Sequence, residues 1–213
     1  IKIQQGLIVT FLDVGQGDCI CLELPDGSTW LVDGGSTSVY DVGTYRIEPF
    51  LKSKGIGTLD AVFLSHSDED HISGILELIE NDRIKIELLV LPDSQRNTEE
   101  EFAEILLLAK AKAIPLLWLQ EGMEWECDGV KAICLHPAAD FNTRNTNADS
   151  EVLYLTYGNF SLLLTGDVEG EGETALIKNL QERNIKYITL LKVAHHGSQG
   201  STSAEFLAQI DTD

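Results

Sequence analysis

The pattern of apolar and polar positions opens with three short runs. Leu7 to Leu12, Cys19 to Leu24 and Thr29 to Val32 carry the β-branched, aromatic and alternating residues of strands. Each ends in a turn: Asp13-Val14-Gly15-Gln16-Gly17-Asp18, Pro25-Asp26-Gly27 and Asp33-Gly34-Gly35. The opening third therefore predicts a meander of β-hairpins. Helical spacing begins at Ile47, Phe50 and Leu51 and stops at Lys54-Gly55. A strand over 59–64 follows, then the polar loop Ser65-His66-Ser67-Asp68-Glu69-Asp70-His71, then a second helical stripe at Ile72, Ile75, Leu76 and Ile79. Gly74 falls in the first turn of that helix, where a small residue would let the helix start approach a ligand.

Beyond it the pattern predicts a buried strand from Ile86 to Leu91, ended by Pro92. A helix with Phe102, Ile105, Leu106 and Ala109 on one face opens on a capping box, Thr98 with Glu101. Strands are expected over Ile114 to Leu119 and Val130 to Leu135, and a polar loop from His136 to Ser150. Glu151 to Tyr157 and Phe160 to Thr165 flank Gly158-Asn159, a hairpin signal. Gly166-Asp167 closes that pair, a helix runs from about Glu171 to Asn184, and Tyr187 to Val193 is a strand ending at Ala194-His195-His196-Gly197-Ser198. Thr202 with Glu205 caps a short helix carrying Phe206, Leu207 and Ile210. The rhythm of hairpins followed by strand–helix units means helices packed outside one or two mixed sheets, an α/β (α+β) class. No linker divides the chain, so 1–213 is expected to be a single domain. It begins without an initiator Met or leader pattern and stops where a further strand is expected, so it reads as excised from a longer chain and lacking its last strand or strands.

Composition changes this picture in three ways. No apolar run reaches the ~18 residues that would cross a bilayer. The net charge of −20, from 35 acidic against 15 basic residues, argues against a broad electrostatic footprint for nucleic acid or anionic lipid, and suits a protein that gathers carboxylates around cations. The four cysteines, Cys19, Cys21, Cys127 and Cys134, form no CxxC pair; Cys19 and Cys21 share one strand face and cannot bridge each other, so packed free thiols are expected.

The candidate chemistry lies where apolar strands end. His66, Asp68, Asp70 and His71 are four potential metal ligands within six positions, on a loop leaving a buried strand whose rigid end can hold them in place. Asp167 and the pair His195/His196 also follow strands directly. Together they offer imidazoles and carboxylates enough for two cations, which can activate a water and stabilise a displaced oxygen in hydrolysis. Asp13 and Asp33 read as turn residues capping backbone amides, Asp18 as a residue near a metal rim, and Trp30, Trp118 and Trp125 as packing residues.

Five motifs in order carry a resemblance: Phe11-Leu12-Asp13-Val14-Gly15-Gln16-Gly17-Asp18, Leu31-Val32-Asp33-Gly34-Gly35, Leu64-Ser65-His66-x-Asp68-x-Asp70-His71, Leu164-Thr165-Gly166-Asp167 and Lys192-Val193-Ala194-His195-His196-Gly197-Ser198. They resemble the metallo-β-lactamase superfamily, in the version found as the C-terminal hydrolase domain of ComEC-type competence proteins, which act in bacterial DNA uptake. The resemblance implies a four-layer αβ/βα sandwich of two mixed sheets flanked by helices, and a nuclease or other phosphodiesterase degrading a DNA strand, acting on single strands. It implies His66 and Asp68 at a first metal, Asp70 and His71 at a second, Asp167 bridging them and His195 completing the second site. His196 would donate a proton or contact phosphate, and Asp70 could also orient the nucleophile. It implies, too, a place on the extracytoplasmic side of a cytoplasmic-membrane protein, with membrane-channel and accessory domains as partners and no lipid contact by this domain.

Two departures from the family pattern matter. Asp68 stands where the superfamily usually has a second His; the harder carboxylate makes Mn²⁺ or Mg²⁺ competitive with Zn²⁺. The middle His ligand is not evident: His136 is one candidate, more readily read as structural, and Asn147 occupies the place more closely. Asn147 and Ser198 are weaker candidates for substrate contact. Against the nuclease stand a hydrolase of small esters, lactones or cyclic nucleotides, and a degenerate, non-catalytic transporter domain.

Overall fold

The computed structural model describes residues 6–94 and 100–211. The chain gathers into two compact units, one made of Ile1–Leu91 and Thr98–Trp118, the other of Pro92–Asn97 and Leu119–Asp213.

In the first unit, β1 (Ile8–Phe11), β2 (Ile20–Glu23) and β3 (Thr29–Val32) form the expected antiparallel meander. A π-helical turn over Gly43–Ile47 leads into α1 (Glu48–Lys54), which stops at Gly55 in the left-handed region. The predicted strand 59–64 divides at Asp60 into β4 (Thr58–Leu59) and β5 (Ala61–Phe63). Asp60 Oδ2 accepts a hydrogen bond from Thr29 N–H. Next come α2 (Glu69–Asn81), β6 (Lys85–Ile86), β7 (Leu89–Pro92), α3 (Ala103–Ala111) and β8 (Leu116–Leu119). The main sheet runs β1-β2-β3-β5-β7-β8, with β3, β5 and β7 parallel; β4 and β6 pair separately. Parallel neighbours need crossovers, and α1 and α2 supply them. Their apolar stripes (Ile47, Leu51, Ile75, Leu78) and Ile105 of α3 pack in one cluster with Leu31, Val62 and Leu89 of the sheet.

In the second unit, β9 (Glu124–Cys127), β10 (Val130–His136), β11 (Val152–Tyr157) and β12 (Phe160–Leu164) are antiparallel, and β13 (Leu190–Lys192) joins β12 in parallel, giving the order β13-β12-β11-β10-β9. The crossover from β12 to β13 is α4 (Gly170–Glu182), whose Leu176 and Leu180 pack with Leu135, Val152 and Leu163. α5 (Ala204–Leu207) adds Phe206 to the same core.

Further local expectations change. The strand expected from Ile86 to Leu91 divides between β6 and β7, which lie in different sheets. β9 was not anticipated, although Glu124-Trp125-Glu126-Cys127 alternates and Asp128-Gly129, at φ 45° and 82°, is a two-residue hairpin turn. Gly74 is the sixth residue of α2, and a Cβ there would strike Gly34 O at 2.5 Å and crowd Val42 and Ile47, so its smallness serves packing of the helix on the preceding loop. The short C-terminal helix is capped by Ser203, whose hydroxyl accepts from Phe206 N–H, while Thr202 Oγ1 accepts from Ala194 N–H. The expected cap at Thr98 lies outside the described residues.

None of the four cysteines forms a disulfide, and Cys19, Cys21 and Cys134 are buried. Burial pushes the Cys21 thiol up to about 12 and raises Cys19 and Cys134 well above the ordinary range, so none presents a thiolate. Alkylation by iodoacetamide near pH ~8 is expected to label Cys127 alone in the folded chain and all four after denaturation, as read by peptide mass spectrometry.

Candidate metal sites

In the first unit β5 ends at Phe63, and Ser65 and His66 follow buried. Parallel pairing of Val32 with Phe63 sets Asp33, at the end of β3, beside this segment. Asp33 is buried at φ 55°, its Oδ1 accepting from Ser65 N–H at 2.7 Å and its Oδ2 from Ser65 Oγ at 2.8 Å. The same Oδ2 lies 2.9 Å from His71 Nδ1. Burial alone would raise the Asp33 carboxyl, but the His71 imidazole, its hydrogen bond, the Ser65 amide and His66 outweigh it and hold the group below its ordinary value. Asp33 is therefore more than a turn residue. It fixes the proton of His71 on Nδ1 and leaves Nε2 as the lone-pair nitrogen, the arrangement by which carboxylates orient metal-binding histidines. Ser65 Oγ stands 3.0 Å from His66 Nδ1 and orients that ring in the same sense.

Asp68 takes the N-cap position of α2 but does not cap with its side chain; its backbone carbonyl accepts from His71 and Ile72. Its Oδ2 lies 3.6 Å from His66 Nε2, and that imidazole holds the exposed Asp68 carboxyl below its ordinary value. Asp70 is half-buried in the first turn, its carbonyl accepting from Asp18 N–H; Asp18 Oδ2 comes within 3.9 Å of His71 Nδ1. The first turn of α2 rests directly on Gly35, where a Cβ would lie 2.5 Å from Glu69 O, Asp70 C and His71 N. Only a glycine allows that approach.

In the second unit Asp167 follows β12, and Lys192, the last residue of β13, points its ammonium back at Gly166 O (2.6 Å) and Asp167 Oδ1 (3.2 Å). Both side chains are buried. His195 and His196 sit in consecutive left-handed conformations, φ 49° and 50°, a strained turn that aims both rings at Asp167. His196 Nε2 is 3.5 Å and His195 Nε2 3.9 Å from Asp167 Oδ2. Glu169 Oε2 lies 3.0 Å from His195 Nδ1 and Glu169 Oε1 accepts from Asn145, so Glu169 orients His195 as Asp33 orients His71. Asn147 Nδ2 stands 3.4 Å from the same His195 nitrogen, and Ser198 N–H donates to the His195 carbonyl. His136 Nε2 donates to Ala148 O at 2.7 Å, its ring packs edge-on against Phe141, and burial pulls its pKa down to about 4. It is a neutral brace for the turn that carries Asn147.

The donor chemistry fits divalent cations. His66 Nε2 is buried, makes no hydrogen bond, and faces a carboxylate oxygen beyond hydrogen-bond range. A buried lone pair left so is costly unless a cation takes it, and this nitrogen and carboxylate would be fit to hold one. Imidazole with carboxylate is a borderline-to-hard set suited to divalent metal ions. Sequence reasoning missed Asp33, Ser65, Glu169 and Lys192 as supports of these ligands; Asp33, Ser65 and Lys192 are polar residues at or just beyond a strand end, and Glu169 is the residue that opens α4.

Residues 12–133 match the family model of the metallo-beta-lactamase superfamily. The chain is 33% identical to ComE operon protein 3 of Bacillus subtilis (strain 168), over 95% of this chain and 27% of that protein. It is 28% identical to Competence protein ComA of Neisseria gonorrhoeae, over 96% and 26% respectively. It thus spans about a quarter of the length of these relatives. Among solved structures, CmlA, a diiron beta-hydroxylase from Streptomyces venezuelae, shares the fold with a TM-score of 0.56 at 14% identity, covering 87% of this chain and 34% of that one. The family model covers more than half of the sequence, and the chain belongs to the metallo-β-lactamase superfamily and has its fold.

Proposed function

We propose that this chain is a metal-dependent phosphodiesterase that degrades a DNA strand during bacterial DNA uptake. His66, Asp68, Asp70, His71, Asp167 and His195 are its metal ligands. The observation that carries the reading is the set of oriented imidazoles. Asp33, Ser65 and Glu169 each tie up an Nδ1 and leave Nε2 as the nitrogen that can bind a cation. Similarity to a competence protein supports a role in DNA uptake; the setting we propose with it is a longer cytoplasmic-membrane protein, with this part on the extracytoplasmic side. Among the described residues no helix is long and apolar enough to cross a membrane.

The proposed ligands would hold two divalent cations, Mn²⁺ or Zn²⁺ with Mg²⁺ as a third candidate, which when bound would supply charge to acidify a water and neutralise phosphoryl oxygens. The chain's own residues do the rest. Asp70 orients the attacking water and takes its proton; the water oxygen forms the new bond to phosphorus as the ester P–O bond breaks. His196, held beside Asp167 in its strained turn, gives a proton to the leaving oxygen. Asn147 and Ser198 flank His195 and contact the phosphate. With a net charge of −20 the chain does not hold DNA by general attraction, so basic contacts come from other parts of the longer protein.

The test is cleavage of a single-stranded oligonucleotide with Mn²⁺, with a chelator, and by His66→Ala. Cleavage that needs the metal and His66 is expected. Cleavage surviving both controls would overturn the metal mechanism, and turnover of small esters without DNA cleavage would overturn the nuclease. A chain that takes up no metal at all would mark a non-catalytic domain. His195→Ala is expected to lose metal, and His196→Ala to keep it while losing turnover.

A further inference from the structure

Tyr40 is 86% exposed, the most exposed large apolar side chain among the described residues. Its loop is not loose. Ser36 Oγ accepts from Ser38 and Val39 N–H, Ser36 N–H donates to Ser73 Oγ on α2, and Ser38 Oγ accepts from Gln16 N–H at 2.7 Å. Val39 packs on the core and Val42 is buried, so the chain is anchored on both sides of a tyrosine that packs against nothing comparable. A rigid loop that presents a bare aromatic ring forgoes the burial that would stabilise it, which is the mark of a contact surface.

Beside the ring lies a hollow of about 340 Å³, lined by Ser38, Tyr40, Asp41, Ser73, Glu77 and by Glu69, the residue between the proposed ligands Asp68 and Asp70. The hollow therefore opens next to the metal loop. The Glu77 carboxylate is spent on the N–H groups of Gly43 and Thr44, while Asp41 and Glu69 keep the hollow acidic. Such a lining repels phosphate and accepts hydrogen bonds from amino groups. A neutral, flat group with N–H donors on its edge fits both the ring and the hollow.

We infer that Tyr40 is a stacking platform for an unpaired nucleobase of the strand whose phosphate is hydrolysed at the Asp68–His71 loop. The inference rests on the phosphodiesterase reading and makes the substrate a single strand, because a base within a duplex cannot lay its face on a side chain. Base–aromatic stacking of this kind corresponds to about a 5- to 150-fold change in affinity.

The experiment compares the wild-type chain with Tyr40→Ala and Tyr40→Trp on a single-stranded oligonucleotide, on the same strand made abasic, and on a small phosphodiester without aromatic rings, following cleavage with Mn²⁺ and strand binding by fluorescence anisotropy. Tyr40→Ala is expected to raise KM and Kd for the base-bearing strand by about 5- to 150-fold, and Tyr40→Trp to restore them. Neither variant should alter metal content or turnover of the small ester, and on the abasic strand all three chains should behave alike. Equal affinity of wild type and Tyr40→Ala for the base-bearing strand would overturn the inference. If the wild type cleaves nothing, the phosphodiesterase reading fails, and the anisotropy comparison still decides for or against Tyr40.

Discussion

Asp167→Ala is expected to lower the unfolding free energy by about 3–5 kcal/mol, as well as to remove a metal ligand. Lys192 is buried, and its ammonium reaches Asp167 Oδ1 at 3.2 Å. Deleting the carboxylate removes the counter-charge 3.2 Å from a buried cation, and the Gly166 carbonyl at 2.6 Å supplies a dipole but no charge. Urea unfolding checks the magnitude. The double variant Asp167→Ala/Lys192→Met separates the two roles: it should regain most of the stability, since a buried pair replaced by apolar groups is often neutral, yet still fail to bind metal. A single variant as stable as wild type would show that the pair does not support this strand end.

Asp33→Ala is expected to weaken metal binding about 10- to 100-fold, because the proton of His71 would no longer be held on Nδ1. It also strips the buried Ser65 amide of its acceptor, at a cost of about 1–3 kcal/mol. Asp33→Asn divides these effects. Its carbonyl oxygen can still accept from Ser65 N–H, so stability should recover, but its NH2 would face Nδ1 as a donor and push the His71 proton onto Nε2, so affinity should stay low. Metal titration with thermal melting reads both. Unchanged metal affinity in the Ala variant would reduce Asp33 to the turn residue that its Asp-Gly-Gly setting suggests.

The two variants also mark where sequence reading stopped. The loop from His66 to His71 was readable as a ligand cluster because its residues are neighbours in the chain and follow an apolar run. Asp33, by contrast, reads locally as an ordinary turn aspartate. Its role follows from the parallel pairing of β3 with β5, which brings together residues 32 and 38 positions apart. Lys192 and Asp167 meet in the same way through the pairing of β12 with β13. β9 is a different matter: its alternation and Asp-Gly turn were present in the sequence, masked by acidic residues on an edge strand.

The sequence by itself determined the elements and the ligand types. Apolar period and turn chemistry are local properties, and they set the strands, the crossover helices and the polar residues at strand ends. Only the tertiary structure decided which nitrogen of each histidine is left as the lone pair. That choice belongs to carboxylates and hydroxyls delivered by other strands, and hydrogen-bond geometry between groups far apart in sequence exists only once the sheets are paired. The strand-end loop around His66 thus came from the chain's own order, while the buried carboxylate behind it came from the fold.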